Sequence, residues 1–222
     1  MNNLAIFDLD HTLILGDSDV QWPRFLMNKG LLDQATYDKR NDYFYEQYKQ
    51  GIMDIDEFLT FQLAPLARFS RKELDTLHQE FMRDYILPII PQGTRDLVGS
   101  HQQNGDEVLV ITATNRFIVS PIVAEFGIKE LIAVELEETE EGRFSGRYVG
   151  MPSYREGKIT RLNQWLEIRK QKLDDFEKVY FYSDSRNDLP LLSLVNTPVA
   201  VNPDEFLRAH AQENNWLIMD FS

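Results

Sequence analysis

The 222-residue chain contains no cysteine. Disulfides, thiolate metal sites and thiol nucleophiles are thereby excluded, and any covalent chemistry has to use oxygen or nitrogen. Positive charge is also scarce: 23 lysines and arginines face 36 aspartates and glutamates, for a formal net charge of −13. That balance repels nucleic acid and anionic membranes at long range, and no Lys/Arg cluster is dense enough to reverse it locally, so neither is expected as a partner. Long apolar runs are missing. The run before Asp8 lacks the basic and hydrophobic regions of a signal peptide and no later stretch approaches a membrane span, so cytoplasmic residence is expected. Histidine is sparse; His78, His101 and His210 are too scattered for a metal site, and His11 is expected to shape a loop. What is present is 43% apolar residues spread without low-complexity tracts, enough for one folded core with room for a smaller inserted unit. A negative chain can still hold phosphate, because one cation and a few aimed donors dominate the field inside a pocket.

Three compact apolar runs end in polar residues: Leu4–Phe7 before Asp8-Leu9-Asp10-His11-Thr12, Val108–Ile111 before Thr112, and Val179–Tyr182 before Ser183-Asp184. Each reads as a buried strand. Helical patterns lie between and after them, at 94–104, at 120–126 with Ser120 as N-cap and Pro121 at N1, and at 154–171. This alternation predicts an α/β fold with a doubly wound, mostly parallel sheet, whose ligands sit beyond the carboxyl ends of the strands. Residues 17–87 carry helix signals only. Asp33 and Gly51 bracket a helix with Tyr37, Phe44 and Tyr48 on one face, Asp54/Glu57 and Ser70/Glu73 form capping-box pairs, and Leu74, Leu77, Phe81 and Tyr85 recur at helical spacing. The expected organisation is therefore a core made of 1–16 and 88–222 with a helical cap, 17–87, inserted after the first strand. Ala133–Glu138 and Arg143–Val149 flank Glu140-Glu141-Gly142 as a hairpin. Trp22, Phe25, Tyr43, Phe44 and Tyr48 are read as packing residues of the insert, on helical spacing.

Asp8 and Asp10 stand two apart at a strand end and face the same way in a regular strand. Such a pair can hold a hard cation, or it can be an Asx turn leading into a helix capped by Thr12. The Thr112 hydroxyl and the backbone N–H groups that follow, Ala113 first, can bind phosphate oxygens; Thr112 can equally cap a helix. Lys158 lies early in a predicted helix, where a cation is disfavoured, which hints at function against the plain reading of a solvated lysine. Asp184 and Asp188 flank Ser185-Arg186-Asn187 and add two carboxylates at the same sheet edge, although turn and cap roles are open to each.

Taken in order, Asp8-Leu9-Asp10-His11-Thr12, Thr112, Lys158 and Ser183-Asp184-Ser185-Arg186-Asn187-Asp188 resemble the four motifs of the haloacid dehalogenase superfamily of phosphohydrolases. The helical insert and the hairpin resemble the branch with phosphoserine phosphatases and related histidinol-phosphate phosphatases. The resemblance implies that Asp8 attacks phosphorus and becomes an aspartyl phosphate, while Asp10 protonates the leaving alcohol and later activates water. It also implies Mg²⁺ held by the Asp8 and Asp184 carboxylates and the Asp10 carbonyl with Asp188 in support, and phosphoryl oxygens held by Thr112, Ala113 and Lys158. Asp17 matches the position at which phosphoserine phosphatases read the substrate ammonium with a glutamate; it can equally cap the helix that begins near Val20. The expected substrate is a small phosphorylated metabolite bearing an amine, histidinol phosphate or phosphoserine. A phosphotransferase or mutase using the same intermediate is the nearest alternative, followed by a non-catalytic phospho-ligand binding protein.

Overall fold

The computed structural model describes residues 2–222. Its centre is β1 (Leu4–Phe7), whose four side chains are all buried and alternate between two apolar layers. Four α-helices of the insert follow: α1 (Ser18–Asn28), α2 (Gln34–Gln50), α3 (Ile55–Leu63) and α4 (Arg71–Phe81). The α/β alternation then resumes with α5 (Gln92–Gln103), β2 (Glu107–Asn115), α6 (Arg116–Ala124), β3 (Glu130–Glu138) and β4 (Phe144–Val149). It closes with α7 (Glu156–Ile168), β5 (Val179–Ser183), the short α8 (Leu189–Leu192), β6 (Thr197–Val201), α9 (Glu205–Glu213) and β7 (Leu217–Met219).

The strands form one seven-stranded sheet in the order β4-β3-β2-β1-β5-β6-β7, parallel except for β4. This is the doubly wound sheet that the alternation predicts. Leu4 and Ile6 face one layer with Leu109, Ile111, Leu162 and Leu166, while Ala5 and Phe7 face the other with Val98, Val110 and Val119. Both faces of β1 are thus covered, which is why its sequence is a continuous apolar run. The second layer continues into the helical insert through Trp22, Phe25, Leu59, Leu63 and Phe81.

The caps foreseen in the insert are present. Asp54 accepts N–H bonds from Asp56 and Glu57, and Ser70 and Glu73 make both bonds of a capping box. One expectation needs correction. The helix placed at 120–126 starts earlier, because Asn115 at the end of β2 accepts the Ile118 N–H at 3.2 Å and acts as its N-cap; Pro121 lies inside the helix. The expected hairpin is present: the second half of β3 pairs antiparallel with β4, while its first half pairs parallel with β2. No helix among the described residues is long and apolar enough to cross a membrane.

Candidate active site

Strand register assembles the site. Phe7 pairs with Val110 on one side and with Tyr182 on the other, and the Asp8 N–H extends the ladder to the Tyr182 carbonyl at 2.9 Å. Asp8, Thr112 and Asp184 therefore emerge together at the carboxyl edge of the sheet, from β1, β2 and the end of β5. Beyond Asp8 the chain turns sharply. His11 adopts a left-handed conformation (φ 58°), its N–H bonds the Gly16 carbonyl and its carbonyl accepts from Asn202, a loop-shaping role.

Lys158 reaches this edge from the first turn of α7. The approach depends on Gly157: a Cβ there would lie 2.1 Å from the Pro152 carbonyl oxygen, so no larger residue lets the helix start so close to the preceding loop. That loop is tied to β2 by the Ser153 hydroxyl, which donates to the Thr112 carbonyl at 2.5 Å. Lys158 is 3% exposed, and its ammonium bonds Asp8 Oδ1 at 2.9 Å and Asp188 Oδ2 at 2.7 Å. Burial alone would lower the Lys158 pKa, but the Asp188 and Asp8 charges outweigh it and push the value up, so the ammonium is retained. Asp188 Oδ2 also accepts from the Ser183 hydroxyl at 2.7 Å.

Asp10 accepts the Ser18 N–H at 2.6 Å on one oxygen and the Thr114 hydroxyl at 2.8 Å on the other. Burial, reinforced by the nearby Asp17 charge, raises its carboxyl to about 6 despite those bonds. Asp8 rises to about 7, mainly through burial, with Lys158 pulling the other way. Burial and the Asp8 and Asp188 charges push Asp184 well above the usual carboxylate range; its Oδ1 accepts from the Thr12 hydroxyl at 3.3 Å. Thr112 is buried, and its hydroxyl oxygen accepts the Thr114 N–H at 3.2 Å, which leaves the hydroxyl proton to be donated.

Asp8, Asp10, Asp17, Thr112, Ala113, Lys158 and Asp188 all line one pocket under the insert. Asp184 belongs to the same carboxylate group but faces a neighbouring cleft. Asp17 both lines the pocket and caps α1, accepting the Val20 N–H at 3.0 Å. The tip of α2 is bonded to the loop after β5, where the Tyr48 hydroxyl meets Ser185 Oγ at 2.9 Å and the Asn187 amide donates to the Tyr48 carbonyl at 3.3 Å, and to the start of α7, where Arg155 donates to the Gly51 carbonyl at 2.8 Å.

The sequence reading passes over several lining residues. Phe44 and Tyr48, read there as packing residues, also face the pocket, and Asp19 and Gln62 join them. Asp19 Oδ1 and Gln62 Nε2 are buried without any hydrogen-bond partner, a state that costs about 1–3 kcal/mol per group. Their signal is a missing bond, which only the three-dimensional structure displays.

Residues 5–193 match the model of the haloacid dehalogenase-like hydrolases. The chain belongs to that family. Among its relatives, a histidinol-phosphatase of Neisseria meningitidis is 55% identical over 221 residues, covering all of both chains. A phosphoserine phosphatase of Mycobacterium tuberculosis is 34% identical, with 98% of this chain matched to 70% of the relative. Among solved structures, a protein of unknown function from Bordetella pertussis superposes with a TM-score of 0.93 at 45% identity and 99% coverage of both chains. A substrate-bound phosphoserine phosphatase gives 0.71 at 16% identity, covering 99% of this chain and 93% of that one, which shows a shared fold. This haloacid dehalogenase-like hydrolase is an enzyme of the phosphatase class.

Proposed function

We propose that the enzyme hydrolyses histidinol phosphate, or a closely similar phosphate ester of an amino alcohol, with Mg²⁺ and through an aspartyl phosphate on Asp8. The observation that carries this reading is the charge balance of the pocket. Asp8, Asp10, Asp17, Asp19 and Asp188 line it, and Lys158 is the only lysine or arginine among the described lining residues. Lys158 is committed to the phosphoryl end by its bond to Asp8. A carboxylate on the leaving group, as in phosphoserine, would face aspartates without a cation, whereas an amine would be attracted. Phe44, Tyr45 and Phe58 add aromatic wall suited to a ring. The relative named histidinol-phosphatase supports the same choice.

The residues divide the work. Asp8 attacks phosphorus, the ester P–O bond breaks, and Asp10 delivers its proton to the departing alkoxide. Asp10 then removes a proton from water, which attacks the aspartyl phosphate and releases inorganic phosphate with Asp8 restored. A carboxyl near 6 is suited to both halves, since it can hold a proton yet give it up near neutrality. Lys158 fixes Asp8 in place and, with the Thr112 hydroxyl and the Ala113 N–H, receives the phosphoryl oxygens. The helical insert serves as the cap that closes over the leaving group.

No complete cage of three or more His, Asp or Glu ligands occurs among the described residues. Magnesium does not need one: it is commonly held by one or two carboxylates, with water and substrate phosphate completing the shell. Burial, with the charges of neighbouring aspartates added, pushes up both Asp8 and Asp184, and a cation would relieve it, so these carboxylates fit the ion, with the Asp10 carbonyl and Asp188 in support. When bound, Mg²⁺ supplies charge neutralisation on the transferring phosphoryl group. The reading places the enzyme in the cytoplasm with a soluble metabolite as its partner.

The test is phosphate release from histidinol phosphate and from phosphoserine with Mg²⁺, by wild type and Asp8→Asn. Histidinol phosphate should be preferred and the variant inactive, and acid-quenched wild-type enzyme should carry hydroxylamine-labile phosphate. Preference for phosphoserine, or full activity of Asp8→Asn, would refute the reading, and phosphate passed to an added alcohol instead of water would mark a phosphotransferase.

A further inference from the structure

Two polar atoms in the pocket wall have no protein partner. Asp19 Oδ1 and Gln62 Nε2 belong to side chains that are each only 6% exposed, and both side chains line the pocket that holds Asp8 and Asp10. One is an acceptor on α1 and the other a donor on α3. Together they complement a ligand that offers a donor at one point and an acceptor at another. The second Asp19 oxygen is 3.1 Å from the Thr114 hydroxyl, which is itself 2.8 Å from Asp10 Oδ2. Asp19 is therefore one hydroxyl away from the group that protonates the leaving oxygen. Gln62 projects from the insert into the wall that carries Phe44 and Phe58. Asp17 presents no such vacancy at Oδ1, which holds the Val20 N–H.

Resting on the phosphatase reading above, we propose that Asp19 and Gln62 form the leaving-group subsite. Asp19 Oδ1 accepts from an ammonium on the carbon beside the ester carbon, and Gln62 Nε2 donates to an acceptor atom of a ring held against Phe44 and Phe58. The substrate class is the phosphate ester of a β-amino alcohol that carries a nitrogen heterocycle and no carboxylate. Asp17 then acts as the cap of α1 and leaves the amine to Asp19. Burial and the charges of Asp17 and Asp10 hold the Asp19 carboxyl well above its usual range, so an arriving cation offsets a repulsion already built into the wall.

Three esters separate the contacts: histidinol phosphate, imidazolylpropyl phosphate, which lacks the amine, and alaninol phosphate, which lacks the ring. Ratios of kcat/KM are taken within one enzyme preparation, so that any partly unfolded fraction cancels. Wild type should prefer histidinol phosphate to the amine-free ester by about ten- to a hundredfold, the range for hydrogen bonds to charged groups, and to the ring-free ester by at least about two- to tenfold, the range for an uncharged hydrogen bond. Asp19→Asn should bring the amine ratio toward unity and keep the ring ratio, and Gln62→Met should do the converse. The subsite is wrong if both variants keep both ratios, or if Asp17→Ala rather than Asp19→Asn abolishes the amine preference. A wild-type enzyme that hydrolyses other phosphomonoesters but not histidinol phosphate overturns the substrate reading and the subsite with it. Hydrolysis of histidinol phosphate with unmoved ratios overturns the subsite alone.

Discussion

Replacing Lys158 by methionine preserves the volume of the side chain and removes the ammonium that joins Asp8 to Asp188. Both pairs are buried, with the lysine side chain 3% exposed and those of Asp8 and Asp188 11% and 4% exposed. Breaking a buried ion pair by removing one partner costs about 3–5 kcal/mol, because the remaining charge is left uncompensated. For a chain of this length each kcal/mol moves Tm by about 2–4 °C, so a fall of about 6–20 °C is expected for the metal-free protein near neutral pH. The loss should depend on pH. Asp8 in the fold titrates at about 7, above its ordinary 3.8, chiefly because burial disfavours its charge. Below that value Asp8 is already neutral in the wild type and the lysine compensates only Asp188. The Tm difference should therefore shrink between about pH 8 and about pH 5.5 as the Asp8 half of the interaction disappears from both proteins. Scanning fluorimetry or calorimetry on chelated samples at the two pH values measures it. A variant that melts with the wild type, or a penalty that does not change with pH, would refute the assignment of Lys158 as the buried counter-charge of Asp8.

Asp10→Asn keeps an acceptor for the Ser18 N–H but cannot supply a proton, so kcat on an alkyl phosphate should drop by about 10²–10⁴-fold, with a much smaller loss on an activated aryl phosphate. Equal losses on the two esters would remove Asp10 from proton transfer. Asp8, Asp10 and Asp184 all have raised pKa values in the fold, so in the metal-free protein their contribution to stability should be fully present below about pH 4 and lost as pH rises through about 6 to 7. Mg²⁺ should restore Tm most strongly above that window, and identical profiles with chelator and with Mg²⁺ would argue against a cation at these carboxylates. Asp17→Ala removes the N-cap of α1 and should cost about 0.5–2 kcal/mol in denaturant unfolding; an unchanged midpoint would show that the cap contributes nothing.

The parts of the site that lie on strand ends are legible in the sequence because a strand buried on both faces reads as a run of apolar residues, and the polar residue after it marks the edge where ligands bind. Asp8 and Asp184 are found that way, and Thr112 by the apolar run before it, although β2 continues to Asn115. Lys158 is placed by its position in a helix, but the close approach that delivers it depends on a missing Cβ at Gly157 against a carbonyl in another segment, which spacing alone does not reveal. Helical periodicity assigns Phe44 and Tyr48 to an apolar face without saying whether that face meets the core or a cavity; in this insert Phe44 packs on Phe58 and Phe61, and both Phe44 and Tyr48 line the pocket. Asn115 outcompetes Ser120 as N-cap because the helix begins directly at the end of β2, a boundary fixed by the sheet and not by local propensity. The edge strand β7, of three residues, is too short for periodicity to mark.

The bonds between the tip of α2 and the loop after β5 tie substrate entry to the carboxylate cluster. Ser185 and Asn187, which meet Tyr48, sit in the same short loop as Asp184 and Asp188. With the insert in its proposed role as a lid, opening at this point breaks those two hydrogen bonds and closing restores them. By thermodynamic reciprocity, whatever steadies the loop from the sheet side also steadies the closed lid, and a ligand that keeps the lid shut tightens the hold of the loop on its charges. On that reading the door and the charged floor beneath it are fastened at one short loop.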